Sequence, residues 1–127
     1  MADEQIGERV SRWRDAWESR DVDKIVTMYR PGAIHESSLI PRIYPEANGT
    51  IVTAPEQFRE YVRRGLERFT ELRFEIISAT ENDRRAAIEY RRHSNIDGPN
   101  PAHVLELVEW DGAKLTGLIR HVRVFHF

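Results

Sequence analysis

An α+β fold is predicted by three observations along these 127 residues. Two short stretches with helical apolar spacing come first, a third follows a proline-rich break, and the second half of the chain reads as strands parted by turn signals. In the first stretch Ile6, Val10, Trp13 and Trp17 step by four, three and four, which sets them on one helical face. Asp21 is placed to cap a second helix, in which Val22, Ile25, Val26 and Tyr29 repeat the period and Pro31-Gly32 ends it. A short strand is expected over 33–38. The segment 39–49, LIPRIYPEANG, has prolines that forbid a regular helix or strand interior and is expected to be irregular. Thr53-Ala-Pro-Glu56 then has the spacing of a capping box, opening a third helix whose buried stripe is Phe58, Tyr61, Val62, Leu66 and Phe69.

Strands are expected over 72–80, 85–95, 103–110 and 114–127. Glu81-Asn82-Asp83, Asp97-Gly98-Pro99-Asn100-Pro101 and Asp111-Gly112 supply the turns, so consecutive strands pair as an antiparallel meander within one domain, 1–127. The last strand is apolar on both faces, with Leu118, Val122 and Val124 on one and Ile119, Phe125 and Phe127 on the other. A strand with one solvated face should alternate, so a partner subunit is expected on the side the helices leave open. Shielding of scattered apolar residues by arginine and histidine is the plainer alternative.

Composition narrows the class. A formal net charge of −2 gives no pull toward nucleic acid or an anionic membrane, and the adjacent arginine pairs read as solvated faces. The absence of cysteine excludes disulfides and thiolate chemistry. No apolar run approaches the roughly 18–20 residues of a membrane span. The N-terminus is acidic and lacks a signal-peptide core, so a cytoplasmic location is expected. The five histidines show no HxH or HxxxH pairing, and neither a metal nor another cofactor is expected. A serine-nucleophile elbow and a glycine-rich phosphate loop are both missing.

The segments AWESRDVDKIVTMYRPGAI, TAPEQF and EWDGAKL, in this order and spacing, resemble the nuclear transport factor 2-like, cystatin-like cone superfamily, which includes ketosteroid isomerases and SnoaL-like polyketide cyclases. The resemblance covers nearly the whole chain. It implies three N-terminal helices on a strongly curved antiparallel sheet, a small-molecule pocket between them, and a homodimer through the convex face. It also places family functional positions. The isomerases' tyrosine donor falls on Trp13, their aspartate base on Ser37, and their protonated aspartate on Glu106. The polyketide cyclases' acid-base aspartate falls on Arg120. Of these positions, Glu106 alone keeps an acid.

Glu106 interrupts the apolar run Val104-Leu105-Glu106-Leu107-Val108 and is therefore expected to be at least partly buried. A buried carboxylate must be paired, protonated or facing a wet cavity. It is either a structural ion pair with Arg120 or Arg91, or a pocket carboxyl with a raised pKa. The expected catalytic set is Glu106 with His35 and Arg120, and Glu106 and Arg120 are expected to form the polar end of the cavity. Substrate contacts are expected from Trp13, Trp17, Tyr29, Ser37, Tyr44, Phe58, Tyr61, Phe74, Glu89, Arg91, Leu118 and Val122. The apolar residues Leu39, Ile40, Ile43 and Tyr44 suit a rim or lid, with Tyr44 nearest the opening, or a patch docked on a partner. The chemistry this implies is isomerisation, dehydration, cyclisation or epoxide opening on a small apolar molecule. A binding module without turnover and a dimeric scaffold with a filled cavity are the other classes.

Overall fold

A computed structural model describes residues 7–113 and 117–127. The expected contributions of Ile6 and of Lys114 lie outside the described residues. Helix α1 spans Glu8–Ser19 and buries Val10 and Trp13 as their spacing requires. Helix α2, Val22–Val26, is capped by Asp21, whose side chain accepts from the backbone of Asp23 at 3.0 Å and of Lys24 at 3.2 Å. Tyr29 is not in that helix. It opens strand β1, Tyr29–Ser37, and Pro31-Gly32 lie inside the strand, where the pairing register shifts between Tyr29 and Ile34. Gly32, at φ 86°, takes the backbone turn that an irregularity here needs.

The proline-rich segment is more ordered than its composition suggested. Pro41 sits in the first turn of a short helix α3, Ile40–Ile43, where its missing N–H costs nothing, and a 3-10 turn follows at Pro45–Ala47. Strand β2, Ile51–Thr53, precedes helix α4, Glu56–Arg68. The capping box does not form, because Thr53 belongs to β2 and its N–H donates to Gln57 Oε1 at 3.1 Å. The stripe on α4 is buried as expected from Phe58 to Phe69.

Strands β3 (Leu72–Glu81), β4 (Arg85–Ser94), β5 (Ala102–Trp110) and β6 (Ile119–His126) complete one curved sheet in the order β2-β1-β6-β5-β4-β3. Its pairings are antiparallel except β1 with β6, which is parallel because β1 enters from the helices rather than by a hairpin. Register shifts at Ile76/Ser78 and at Glu109/Trp110 bend the meander. Helix α1 lies against β3 and α2, and α4 packs on α2, α3 and β2. Beneath them an aromatic stack runs through Trp13, Phe74 and Tyr90, and a second through Tyr29, Phe58, His35 and Tyr61.

The last strand splits as follows. Ile119 and Val122 are both buried, which regular alternation forbids and the bulge at its start permits. Ile34, Ile77, Leu118, Phe125 and Phe127 remain exposed. Around them the outer face carries the pairs His93–Glu75, His103–Glu89, Arg85–Glu109 and Arg120–Glu109. Among the described residues no helix is long and apolar enough to cross a membrane.

Candidate functional site

The cavity lies between α1, α4 and the inner sheet face, with about 70 Å³ of space. That is far below the roughly 300–1,000 Å³ of pockets that hold drug-sized ligands, so it suits a small molecule. Leu39 and Ile43 from the α3 region, Tyr61, Val62 and Leu66 from α4, and Phe74 from β3 make its apolar wall. Gly65 thins the α4 side: a methyl group there would meet only Ile43 Cδ1, at 3.8 Å.

Glu106 is buried at 4% exposure and faces this cavity from the middle of β5. Tyr90 lies across the β4–β5 ladder on the same inner face, and its hydroxyl donates to Glu106 Oε1 at 2.7 Å. Burial raises the carboxyl to about 7. Tyr90, the adjacent Trp13 indole and the charge of Arg92 restrain that rise. Near neutral pH the group is therefore populated in both protonation states. Burial first, then the nearby carboxylate, holds the phenols of Tyr29 and Tyr90 well above their ordinary value, so both stay protonated.

His35, 3% exposed, lines the same cavity. Its Nδ1 lies 3.3 Å from the Tyr29 hydroxyl, and Phe58 and Tyr61 pack against the ring. Burial, with a smaller contribution from His121, lowers it to about 3, so it is a neutral imidazole at ordinary pH. It can exchange hydrogen bonds but carries no charge into the site. Ser37 also lines the cavity and accepts from the Leu39 N–H at 3.1 Å. Among the described residues the indole nitrogens of Trp13 and Trp17 are buried and have no hydrogen-bond partner, and Trp17 is a cavity residue.

Several expected site residues stand elsewhere. Arg120 is on the outer face, its side chain half exposed and 3.6 Å from Glu109, so it forms no polar end with Glu106. Glu89 and Arg91 also point outward, Glu89 to His103 at 2.7 Å, because β4 pairs Ile88 with Glu106 and thereby sends even-numbered residues inward. Leu118 is exposed away from the cavity. Tyr44 does not line the cavity: the Arg64 guanidinium covers its ring at 4.6 Å, and Leu39 and Ile43 are the residues of its segment that do. Tyr29, Phe58, Trp13 and Val122 are buried but stand behind the cavity wall. Trp17, Ser37, Tyr61, Phe74, His35 and Glu106 are brought together.

Sequence reasoning missed Tyr90, Arg92 and His126, all of which face the cavity. The alternation Ala86-x-Ile88-x-Tyr90 against Ala87-x-Glu89-x-Arg91 carried the signal. Its apolar member is the inner one, and Arg92 continues it. Among the described residues no three His, Cys, Asp or Glu side chains gather as a metal site would need.

Comparison with known proteins gives the same fold. A SnoaL-like protein of unknown function from Burkholderia thailandensis superposes with a TM-score of 0.75 at 24% identity, covering 92% of this chain and 89% of that one. A Sinorhizobium meliloti protein provisionally named a polyketide cyclase gives 0.74 at 12% identity, covering 98% and 100%. A Catenulispora acidiphila protein with a ketosteroid isomerase-like fold, solved in complex with trimethylamine, gives 0.69 at 18% identity, covering 95% and 86%. At such identities these structures speak for the fold alone. No functionally curated protein matches the sequence. The profile of the SnoaL-like domain matches residues 10–127, and the chain therefore belongs to the SnoaL-like family.

Proposed function

We propose that this protein is an enzyme that moves a proton on a small, largely apolar organic molecule, with Glu106 as the acid-base group. The observation that carries the reading is a lone carboxyl, buried in an apolar cavity, raised to about 7 and held by the Tyr90 hydroxyl. A carboxyl so placed can take a proton from carbon and return it at neutral pH, since both of its forms are present. In an isomerisation, the carboxylate removes a proton from the carbon beside a carbonyl and the electron pair moves onto the carbonyl oxygen. The protonated carboxyl then returns the proton at another carbon. Neutral His35 and the free Trp17 N–H are the groups available to stabilise the oxygen's charge. Of the chemistries the family fold hosts, isomerisation, dehydration and cyclisation share this proton step.

Cyclohexanone in D2O tests the reading. The wild-type protein should speed deuterium exchange at the α-carbons, and Glu106→Gln, which keeps the shape but cannot cycle a proton, should bring the rate down to that of buffer. Exchange that survives the substitution removes Glu106 from the chemistry. A ketone that binds without exchanging favours the module that holds a ligand without turning it over.

For the outer sheet face we propose a second copy of this chain as the occupant. The exposed Phe125, Phe127, Ile34 and Ile77 share that face with the pairs His93–Glu75, His103–Glu89 and Arg120–Glu109, which suits a self-complementary contact. Sedimentation should give a dimer at micromolar concentration, and Phe125→Asp should give a folded monomer.

A further inference from the structure

Charge in the cavity is matched at one residue and unmatched at another. Arg92 and Glu106 both line it, one a cation and the other an acid. Arg92 Nε and Nη2 donate to the Asp97 carboxylate at 2.9 and 3.0 Å, and Ser94 Oγ donates to the same carboxylate at 2.7 Å. That cation is neutralised before any ligand arrives. Glu106 has no such match. Among the described residues it pairs with no cation, and its hydrogen bond comes from the neutral Tyr90 hydroxyl. Arg92 stands opposite Ala102, four residues from Glu106 along β5, which at the rise of a strand is roughly 13 Å between backbones.

The surroundings of Glu106 suit a positive guest. Trp17, Tyr61, Phe69, Phe74 and Tyr90 line the cavity, and aromatic rings attract cations and not anions. One of them already carries a cation, since the Arg92 guanidinium lies 4.8 Å from the Phe69 ring centre. The other basic groups do not oppose a second positive charge. Burial lowers His35 to about 3, and burial with the charge of Arg92 lowers His126, so both are neutral near pH 7. Burial keeps the phenols of Tyr29, Tyr61 and Tyr90 protonated. A carboxylate guest would add a second negative charge beside Glu106, and a neutral guest would leave the first uncompensated. A bare metal ion needs several ligands, and among the described residues no three His, Cys, Asp or Glu side chains gather. An alkylated ammonium needs one carboxylate and an apolar, aromatic shell, and an ion of a few heavy atoms suits about 70 Å³ of space.

We infer that the cavity is a binding site for a small alkylammonium ion, which pairs with the Glu106 carboxylate among the aromatic side chains that line it. The inference goes beyond the proton-transfer reading, because it needs an ionisable carboxyl in the cavity and does not need turnover.

Three probes of similar shape and different charge test it: tetramethylammonium, tert-butanol and trimethylacetate, with dissociation constants from ligand-observed NMR. At pH 8 the wild-type protein should bind the ammonium at least about tenfold tighter than either other probe. The ion pairs with the ionised carboxyl, so binding expels a proton. Its affinity should therefore rise about tenfold from pH 6 to pH 8, with a midpoint near 7, while that of tert-butanol stays constant. Glu106→Gln should remove both the preference and the pH dependence. Tyr90→Phe, in which the carboxyl loses its donor and titrates higher, should move the midpoint upward, and this arm does not depend on Glu106→Gln folding. Equal or tighter binding of tert-butanol or trimethylacetate, an ammonium affinity that is the same at pH 6 and pH 8 or survives Glu106→Gln, or no ammonium binding at millimolar concentration overturns the assignment. Ammonium binding in this pattern without deuterium exchange of cyclohexanone leaves it standing and removes the proposed turnover. Exchange without ammonium binding does the reverse.

Discussion

Two arginines lie largely buried at different ends of this molecule, and their partners set them apart. Arg9 lies over the Trp110 ring at 4.2 Å and Arg92 over Phe69 at 4.8 Å. Arg9 donates to the backbone carbonyls of Asn82, Asp83 and Gly112 at 2.9–3.0 Å, with Glu81 3.6 Å away. It ties α1 to two turns of the meander, and its donors are engaged by chain that cannot leave. Arg92 is held by a single carboxylate and lines a cavity. Burial of a cation thus says little about its role. What matters is whether the groups that satisfy it are permanent.

The comparison predicts that pH acts through the cavity half. Around His35 stand Tyr29, Tyr61 and His121, and around Glu106 stand Tyr90, Trp13, Arg92, Tyr29 and Tyr61. His35 falls from 6.5 to about 3 on folding, so the unfolded chain takes up the proton first as pH drops. Stability is lost between those values, by about 5 kcal/mol in full. Glu106 rises from 4.5 to about 7, so its contribution is complete below 4.5 and is lost as pH climbs through 7, by about 3 kcal/mol. Between 4.5 and 6.5 the two slopes oppose each other. Glu106→Gln should therefore leave stability rising steadily with pH across that window in denaturant titrations. His35→Leu should leave it falling.

Arg9→Met should lower stability by about 3 kcal/mol, because the side chain, itself buried, leaves three partly buried carbonyls without their donor and uncovers the Trp110 ring. The loss should be similar at every pH, and cyclohexanone affinity should be unchanged. Arg92→Met should cost a similar amount, about 3 kcal/mol, because the Asp97 carboxylate, its side chain 10% exposed, loses its partner. If Arg9→Met weakened cyclohexanone binding, the confinement of Arg9 to closing the turns would be lost.

A smaller effect tests the cavity wall. Gly65→Ala places a methyl in ordinary contact with Ile43 and improves helix propensity, so it should stabilise the fold by about 1 kcal/mol while weakening cyclohexanone binding. Calorimetry reads the first change and an NMR titration with cyclohexanone the second.

Local signals made the architecture legible. The apolar steps of α1, the Asp21 cap, the stripe on α4 and the turns of the meander appear where periodicity and turn chemistry put them. The misses occurred where tertiary pairing overrode a local cue. Tyr29 left its helical pattern to pair with Ile119, and Thr53 joined β2 instead of capping α4. The site was only half legible for the same reason. A carboxylate inside an apolar run marks itself, as Glu106 did. An arginine next to another arginine does not, because Arg91 and Arg92 differ only in which sheet face each occupies. Arg120 was placed by family register, and the bulge at Glu109/Trp110 sits just where that register enters β6.

The account rests most heavily on the protonation state of Glu106. Infrared difference spectra of the wild-type protein against Glu106→Gln, recorded from pH 5 to pH 9, isolate the carboxyl band of this side chain. The predicted result is a protonated carboxyl that converts to carboxylate with a midpoint near 7, moving higher in Tyr90→Phe as the donor is lost. A carboxylate already fully ionised at pH 5 would contradict the account.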